Sequence, residues 1–204
     1  IVCTPFFRHV DDKFLGTAIV SKLGIGVPKT IVLPQKEYLA DITPESLRNL
    51  KYPIDWEAIM SWIGWPAIIK PHAGGGWKSV DKVTNFEELL VSYDKSKQLV
   101  MIVQEFITWD HYVRCLCIGQ DKILAMPWDP TLPHHERYTK ARSDIPASLM
   151  KKIEEQARLL CKTFGYDMNT VEFAVRDGIP YAIDFLNTAP DMDAQTKVDP
   201  EQGF

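Results

Sequence analysis

The chain has 204 residues, 46% hydrophobic and 25% charged, with a net charge of -4, which gives it ample material for a core and excludes a mainly disordered polymer. That charge offers no basic field to hold a polyanion, so no nucleic-acid partner is expected. Its longest apolar runs, Pro66 to Ile69 and Leu99 to Val103, fall far short of the roughly 20 residues of a membrane helix, so no membrane partner is expected either.

The opening Ile1-Val2-Cys3-Thr4-Pro5-Phe6-Phe7 has neither Met nor a basic flank before an apolar core, and reads as an interior start without a signal peptide. From Asp11-Asp12-Lys13 the apolar positions Phe14, Leu15, Ala18, Ile19 and Leu23 recur at helical spacing until Gly24 and Pro28. A short extended piece, 30–33, precedes a polar, Pro-punctuated connection over 34–53. Asp55 caps a predicted helix carrying Trp56, Ile59, Met60 and Ile63, which ends at Gly64. The run Trp65 to Pro71 is too short for a helix and too apolar for a loop, and reads as a buried strand delivering Lys70 at its end. Asn85 with Glu88 forms a capping-box pattern before a helix presenting Phe86, Leu89, Leu90 and Tyr93.

Strands are predicted over 100–107, 112–118 and 123–126, the last two joined by a turn at Gly119 to Lys122, and together they read as an antiparallel meander. The clearest helix runs from Pro146 to Phe164, with Leu149, Ile153, Ala157, Leu160, Cys161 and Phe164 on one side, and Gly165 stops it. A closing hairpin pairs 170–175 with 181–186 around Arg176-Asp177-Gly178. Helices and antiparallel strands thus fall into two α+β lobes, 1–107 and 108–204, with a changeover near Ile107 to Asp110 and a ligand cleft expected between them. The four cysteines contain no CxxC pair and read as reduced interior thiols, which suits a cytoplasmic protein.

Three constellations carry chemistry. In Lys70-Pro71-His72-Ala73-Gly74-Gly75-Gly76-Trp77-Lys78-Ser79, three glycines admit backbone amides to an anion while Lys70 and Lys78 bracket them with positive charge. The pattern is neither a P-loop nor a dinucleotide fingerprint, and its alternative is a plain surface turn. At the changeover, Gln104-Glu105-Phe106-Ile107 ends a strand: Glu105 suits an exocyclic amine, the Phe106 and Ile107 backbone suits an adenine edge, and Asp110 suits ribose hydroxyls. Solvated surface carboxylates are the alternative there. In the closing hairpin, Glu172, Asp184 and Asn187 interrupt apolar strands with oxygen donors fit for a hard divalent cation, the alternative being carboxylates on the wet side of the sheet.

In this order the motifs resemble the ATP-grasp superfamily of carboxylate-amine and carboxylate-thiol ligases over about Asp12 to Asp191, together with the opening Asp12-Lys13 and Gly24-Ile25-Gly26-Val27-Pro28-Lys29-Thr30. The resemblance implies that Lys13, Lys70, Gly74, Gly75, Gly76, Lys78 and Ser79 meet the triphosphate, and that Gln104, Glu105, Phe106, Ile107 and Asp110 meet the nucleoside. It makes Glu172, Asp184 and Asn187 ligands of one or two Mg²⁺ ions, replaceable by Mn²⁺, and sets Arg114 beside Lys70 at the reacting phosphoryl group. The implied activity is ATP-dependent ligation of a small-molecule carboxylate to a nucleophile through an acyl phosphate, with a small-molecule kinase or a non-catalytic ATP-binding module as alternatives. Two departures stand out. Asp184 and Asn187 are three residues apart rather than two, so Asn187 joins the site only if the chain bulges near Phe185 and Leu186. Only about ten residues precede Asp12, where such ligases carry a further α/β domain, so an additional domain or subunit is expected to complete the acceptor site. The segment Met126 to Tyr138, rich in Pro and aromatic residues and carrying His134, His135 and Arg137, reads as part of the acceptor wall rather than a zinc site.

Overall fold

A computed structural model describes residues 12–74, 78–138 and 140–192. Among them the chain forms two compact α+β units, one of residues 12–18 and 28–106, the other of 19–27 and 107–192. No helix of the described residues is long and apolar enough to cross a membrane.

The first unit is a four-stranded antiparallel sheet, ordered β1 (Thr30–Val32), β4 (Met101–Glu105), β2 (Ala67–Pro71), β3 (Asp81–Val83). Helices α2 (Trp56–Ile63) and α3 (Phe86–Lys95) cover one face of it. Asp55 Oδ1 caps α2 by accepting from Ala58 N at 2.9 Å, and Asn85 Oδ1 caps α3 by accepting from Glu88 N at 3.0 Å. Met60, Ile63, Leu89 and Tyr93 from the helices bury Ala67, Ile69, Met101 and Val103 of the sheet. By the two-residue period of a strand, Lys70 and Gln104 therefore share the opposite face.

The second unit has the order β6 (Lys122–Pro127), β5 (His111–Ile118), β7 (Met168–Arg176), β8 (Ile179–Asp184), again antiparallel throughout. Helix α4 (Ala147–Phe164) lays Ile153, Ala157, Leu160, Cys161 and Phe164 on Val113, Cys115, Cys117, Val171, Phe173 and Val175. Cys115, Cys117 and Cys161 are free, buried thiols within that core. The alternate residues Tyr112, Arg114, Glu172 and Ala174 face the other way, onto the side that carries the polar groups.

The reading of 100–107 as the first strand of a meander is corrected. β4 pairs with β1 and β2 in the first unit, while β5 has β6 and β7 as neighbours in the second. Met101, Ile102, Val103 and Gln104 are all buried, as a strand with partners on both sides and both faces covered must be. Strand β3, after the Gly-rich turn, was not foreseen; its exposed Asp81 and Lys82 hide the strand pattern, and only Val83 is buried.

Helix α1 (Lys13–Lys22) begins in the first unit and ends in the second. Asp12 Oδ1 caps it by accepting from Phe14 N at 3.1 Å and Leu15 N at 2.9 Å, and its far end places Val20 in the second core. Beyond it, Gly26 bridges Tyr181 of β8 and accepts from Ala182 N at 2.8 Å. A Cβ at Gly26 would lie 2.6 Å from Pro180 O, so the close approach of the two backbones requires glycine there.

Candidate nucleotide and metal site

In the first unit a polar chain crosses three strands. Lys70 Nζ donates to Gln104 Oε1 at 2.8 Å, and Gln104 Nε2 donates to Thr30 Oγ1 at 2.9 Å. Gln104 is buried, so its amide is fixed by one acceptor bond and one donor bond and holds the lysine at the strand end. The Gly-rich turn opens beside it. Lys13 N donates to His72 O at 2.8 Å and Lys13 Nζ to Gly74 O, which pins the start of α1 to this turn. Gly74 has a φ of 99°, a conformation that favours glycine, and Ser79 a φ of 54° next to the exposed Lys78. Gly75 and Gly76 lie outside the described residues, as does Trp77.

At the strand end, Glu105 N donates to Lys29 O at 2.8 Å while Glu105 Oε2 accepts from Lys29 N at 3.3 Å, and Phe106 N donates to Pro66 O at 3.4 Å. Lys82 Nζ stands 3.8 Å from the centroid of the Phe106 ring. Ile107 is buried in the second unit beside Tyr112, Trp128 and Ala174. Asp110 supports the β7–β8 turn: Asp110 N donates to Val175 O, and Asp110 Oδ2 accepts from Asp177 N, at 2.8 and 2.9 Å. One carboxylate oxygen of Asp110 is thus committed to the fold.

In the second unit the register places Arg114 of β5 opposite Glu172 of β7, and Glu172 opposite Asp184 of β8. The three form one lateral row on the face away from α4. Glu172 Oε1 lies 3.8 Å from Arg114 Nε, and Glu172 Oε2 accepts from Tyr112 Oη at 3.0 Å. Burial first, and then the nearby Asp184 carboxylate, push the Glu172 carboxyl up to about 7 against the opposing pull of Arg114, Tyr112 and Arg137. Burial beside Glu172 likewise holds the Tyr112 hydroxyl well above its ordinary range.

Arg114 is 8% exposed; its Nη2 donates to Asp191 O at 3.0 Å, and its guanidinium lies 5.3 Å from the Trp128 ring. Arg137 stacks on the same ring at 5.3 Å and donates from Nε to Leu132 O at 3.0 Å. The buried donors Arg114 Nε and Trp128 Nε1 meet no acceptor among the described residues. His134 Nε2 comes within 3.9 Å of Asp191 Oδ2 and His135 Nε2 within 3.7 Å of Glu136 Oε1. Among the described residues no group of three His, Cys, Asp or Glu converges as a metal cage.

A bulge does occur in the hairpin, but before Asp184 rather than after it: Glu172 pairs with Asp184 and Phe173 with Ala182, so Ile183 is the extra residue. Asn187 lies beyond β8, its Nδ2 donating to Asn169 Oδ1 at 3.0 Å and Thr170 O at 2.9 Å. Only its Oδ1 is chemically able to ligate a cation. Two facing carboxylates, one of them resisting ionisation, form a pair of hard oxygen donors, which fits Mg²⁺ or Mn²⁺ rather than a soft metal. Tyr112 and Asp191 were missed in the sequence. Tyr112 was accessible through its spacing of two from Arg114 on one strand. Asp191 had no such signal, because it follows irregular chain.

The ATP-grasp domain family matches residues 11–187. The D-alanine--D-alanine ligase of Clostridium botulinum (strain Hall) is 30% identical over 157 residues, covering 68% of this chain and 49% of that protein. Among solved structures, the D-alanine--D-alanine ligase of Bacillus anthracis superposes with a TM-score of 0.66 at 21% identity, over 90% of this chain and 58% of that one. The same enzyme complexed with ATP gives 0.64 at 22% identity, over 93% and 57%. The chain thus spans about half the length of the curated relatives it matches.

Proposed function

The chain belongs to the ATP-grasp domain family, and from that premise we propose that it binds ATP and takes part in joining a small-molecule carboxylate to an amine or similar nucleophile, releasing ADP and phosphate. The observation that carries the reading is the row Arg114, Glu172 and Asp184 across three neighbouring strands, a cation and two carboxylates on one face in a domain of this family. The curated relatives it matches are D-alanine--D-alanine ligases, which supports the same class of reaction without naming this chain's substrates.

Lys70, held by Gln104, and Lys13, at the capped start of α1, are assigned to the phosphates, together with Gly74, Gly75, Gly76, Lys78 and Ser79. Glu105, Phe106 and Ile107 are assigned to the nucleoside, with the remaining oxygen of Asp110. Glu172, Asp184 and the Oδ1 of Asn187 would hold one or two Mg²⁺ ions, which supply charge neutralisation at the triphosphate when bound. Arg114, whose Nε is buried without an acceptor, is assigned to the negative charge that develops as the substrate carboxylate attacks the γ-phosphate. The chain offers no nucleophile in this scheme; it positions and neutralises. The aromatic and arginine wall of Trp128, Arg137 and Tyr138 is assigned to the acceptor, with an additional domain or subunit completing that site.

Hydroxylamine trapping tests the reaction class. With Mg·ATP and a panel of carboxylates, a ligase of this kind yields a hydroxamate, because the acyl phosphate is intercepted. ADP formation dependent on a hydroxyl acceptor, with no hydroxamate from any carboxylate, would make it a kinase. Nucleotide binding without turnover across the panel would make it a binding module.

A further inference from the structure

Asn187 follows Asp184 by three residues, an interval that on a regular strand would turn its side chain to the other face. The chain after Asp184 is instead tied down at Phe185 and Asn187 by groups outside β8. Asn169, fully buried, donates from Nδ2 to Phe185 O at 2.9 Å. Phe185 packs its ring against Phe164, with centroids 6.2 Å apart. Asn187 N donates to Tyr166 Oη at 2.9 Å, and Tyr166 is 1% exposed.

We infer that Asn169, aided by Thr170 and Tyr166, is a positioning residue that orients the Asn187 amide so that Oδ1 is the atom offered to a cation. The inference rests on the metal reading above and goes further in naming what sets the ligand's orientation. Because Asn169 spends its Nδ2 on a carbonyl, it turns its Oδ1 toward Asn187, and an oxygen there demands a donor. Thr170 O is a second acceptor on the same nitrogen. Rotating the Asn187 amide by half a turn would set its oxygen against both acceptors at about 3 Å, losing two hydrogen bonds in a part-buried site. The backbone tie to Tyr166 fixes where the residue sits, and the two acceptors fix which way it faces. The one extra residue between Asp184 and Asn187 thus lies in a segment held at both Phe185 and Asn187. Partners of this kind behind a ligand commonly control metal affinity by 10- to 100-fold.

The test is Mn²⁺ binding by the full chain with a non-hydrolysable ATP analogue, read by electron paramagnetic resonance. Asn169→Leu should weaken Mn²⁺ at least tenfold while affinity for the analogue in EDTA stays within twofold. Asn169→Gln, which keeps an amide donor for Phe185 O and an amide oxygen for Asn187 Nδ2, should recover part of the loss. Unchanged Mn²⁺ affinity in Asn169→Leu, alongside a large loss in Asp184→Asn, would overturn the positioning role and leave the metal site standing. Equal losses in the Leu and Gln variants would also overturn it, since an orientation effect separates them. No loss in Asp184→Asn would remove the metal reading itself. Should Asn169→Leu fail to fold, Tyr166→Phe removes one hydroxyl only and should weaken Mn²⁺ about threefold; no change there overturns the inference.

Discussion

Glu172 and Asp184 stand directly opposite one another across the β7–β8 ladder, on the face of the sheet away from α4. Pairing of this kind sets the Cβ atoms about 5 Å apart, close enough for two carboxylates to repel strongly unless a proton or a cation lies with them. Arg114 and the Tyr112 hydroxyl relieve part of that repulsion from the other side of Glu172. Burial first, and then the remaining repulsion from Asp184, push the carboxyl of Glu172 up to about 7.

A pH dependence of folding follows. An unfolded glutamate releases its proton near 4.5, whereas Glu172 in the fold keeps it up to about 7. Between those values the native state binds more protons than the unfolded one, so this contribution is complete below pH 4.5 and is lost as pH rises through 7. Its ceiling is roughly 3 kcal/mol from the pKa difference. Urea midpoints of the metal-free protein should fall between pH 5 and pH 8, and millimolar Mg²⁺ should restore stability at pH 8 by mass action. Asp184→Asn should make the profile shallower, leaving the part that burial of Glu172 contributes, and abolish the Mg²⁺ effect. A wild-type profile as flat as that variant's would show that the two carboxylates do not interact.

Lys70→Ala should weaken ATP binding by about 1.5 to 3 kcal/mol, the loss of a charge-assisted hydrogen bond, and leave the fold intact because the side chain is not part of the core. Gln104→Leu should produce a smaller loss, since it removes the acceptor that holds Lys70 Nζ but not the charge. Calorimetric titration reads both. An ATP affinity unaltered by Lys70→Ala would take the lysine out of the phosphate site.

Gly26→Ala should destabilise the protein by about 1 to 3 kcal/mol, the range for overpacking a close contact. The added methyl meets the backbone oxygen of Pro180 at 2.6 Å rather than a side chain that could swing aside. Gly24→Ala tests a different cause: nothing lies within 4 Å of a Cβ there, but a φ of 75° strains any other residue, and the cost should be nearer 1 kcal/mol. Denaturant titration separates the two, and a Gly26→Ala variant as stable as wild type would dissolve the β8 contact.

Much of this was legible in the sequence for identifiable reasons. Asp55, Asn85 and Gly165 punctuate their helices through caps that depend only on neighbouring backbone, so reading them needs no tertiary knowledge. The tight hairpin limits the register, but continued regularly it would set Glu172 opposite Ile183; the bulge at Ile183, which no local signal announces, is what brings Asp184 opposite Glu172. The partners of β4 were not legible, because a strand buried on both faces carries no alternation to show which sheet it joins. Local spacing also misled at Asn187: the bulge falls at Ile183, and the residue is held by Asn169 and Tyr166, far from it along the chain. Asp110 shows the converse, a carboxylate of the right type whose Oδ2 is committed to a turn by Asp177 N, a contact no motif announces.

Arg114 offers the sharpest test of the proposed chemistry. Its guanidinium is divided among four neighbours: Nη2 on Asp191 O, Nε 3.8 Å from Glu172 Oε1, the plane 5.3 Å from Trp128, and a hydrogen bond to the Tyr138 side chain. Lysine preserves the charge but has no fork to keep one nitrogen on Asp191 while another faces an anion, and it cannot stack as a plane on an indole. Arg114→Lys should therefore fold, bind ATP within about threefold of wild type, and lose on the order of 10²-fold in kcat, the scale for removing a preorganised donor from developing charge. Arg114→Gln removes the charge that holds the Glu172 carboxyl down, so the pH at which the metal-free protein loses stability should move above 7. Those two readouts are independent. Full kcat in Arg114→Lys would leave the residue only a structural partner of Glu172, whereas an unshifted transition in Arg114→Gln would deny even that pairing.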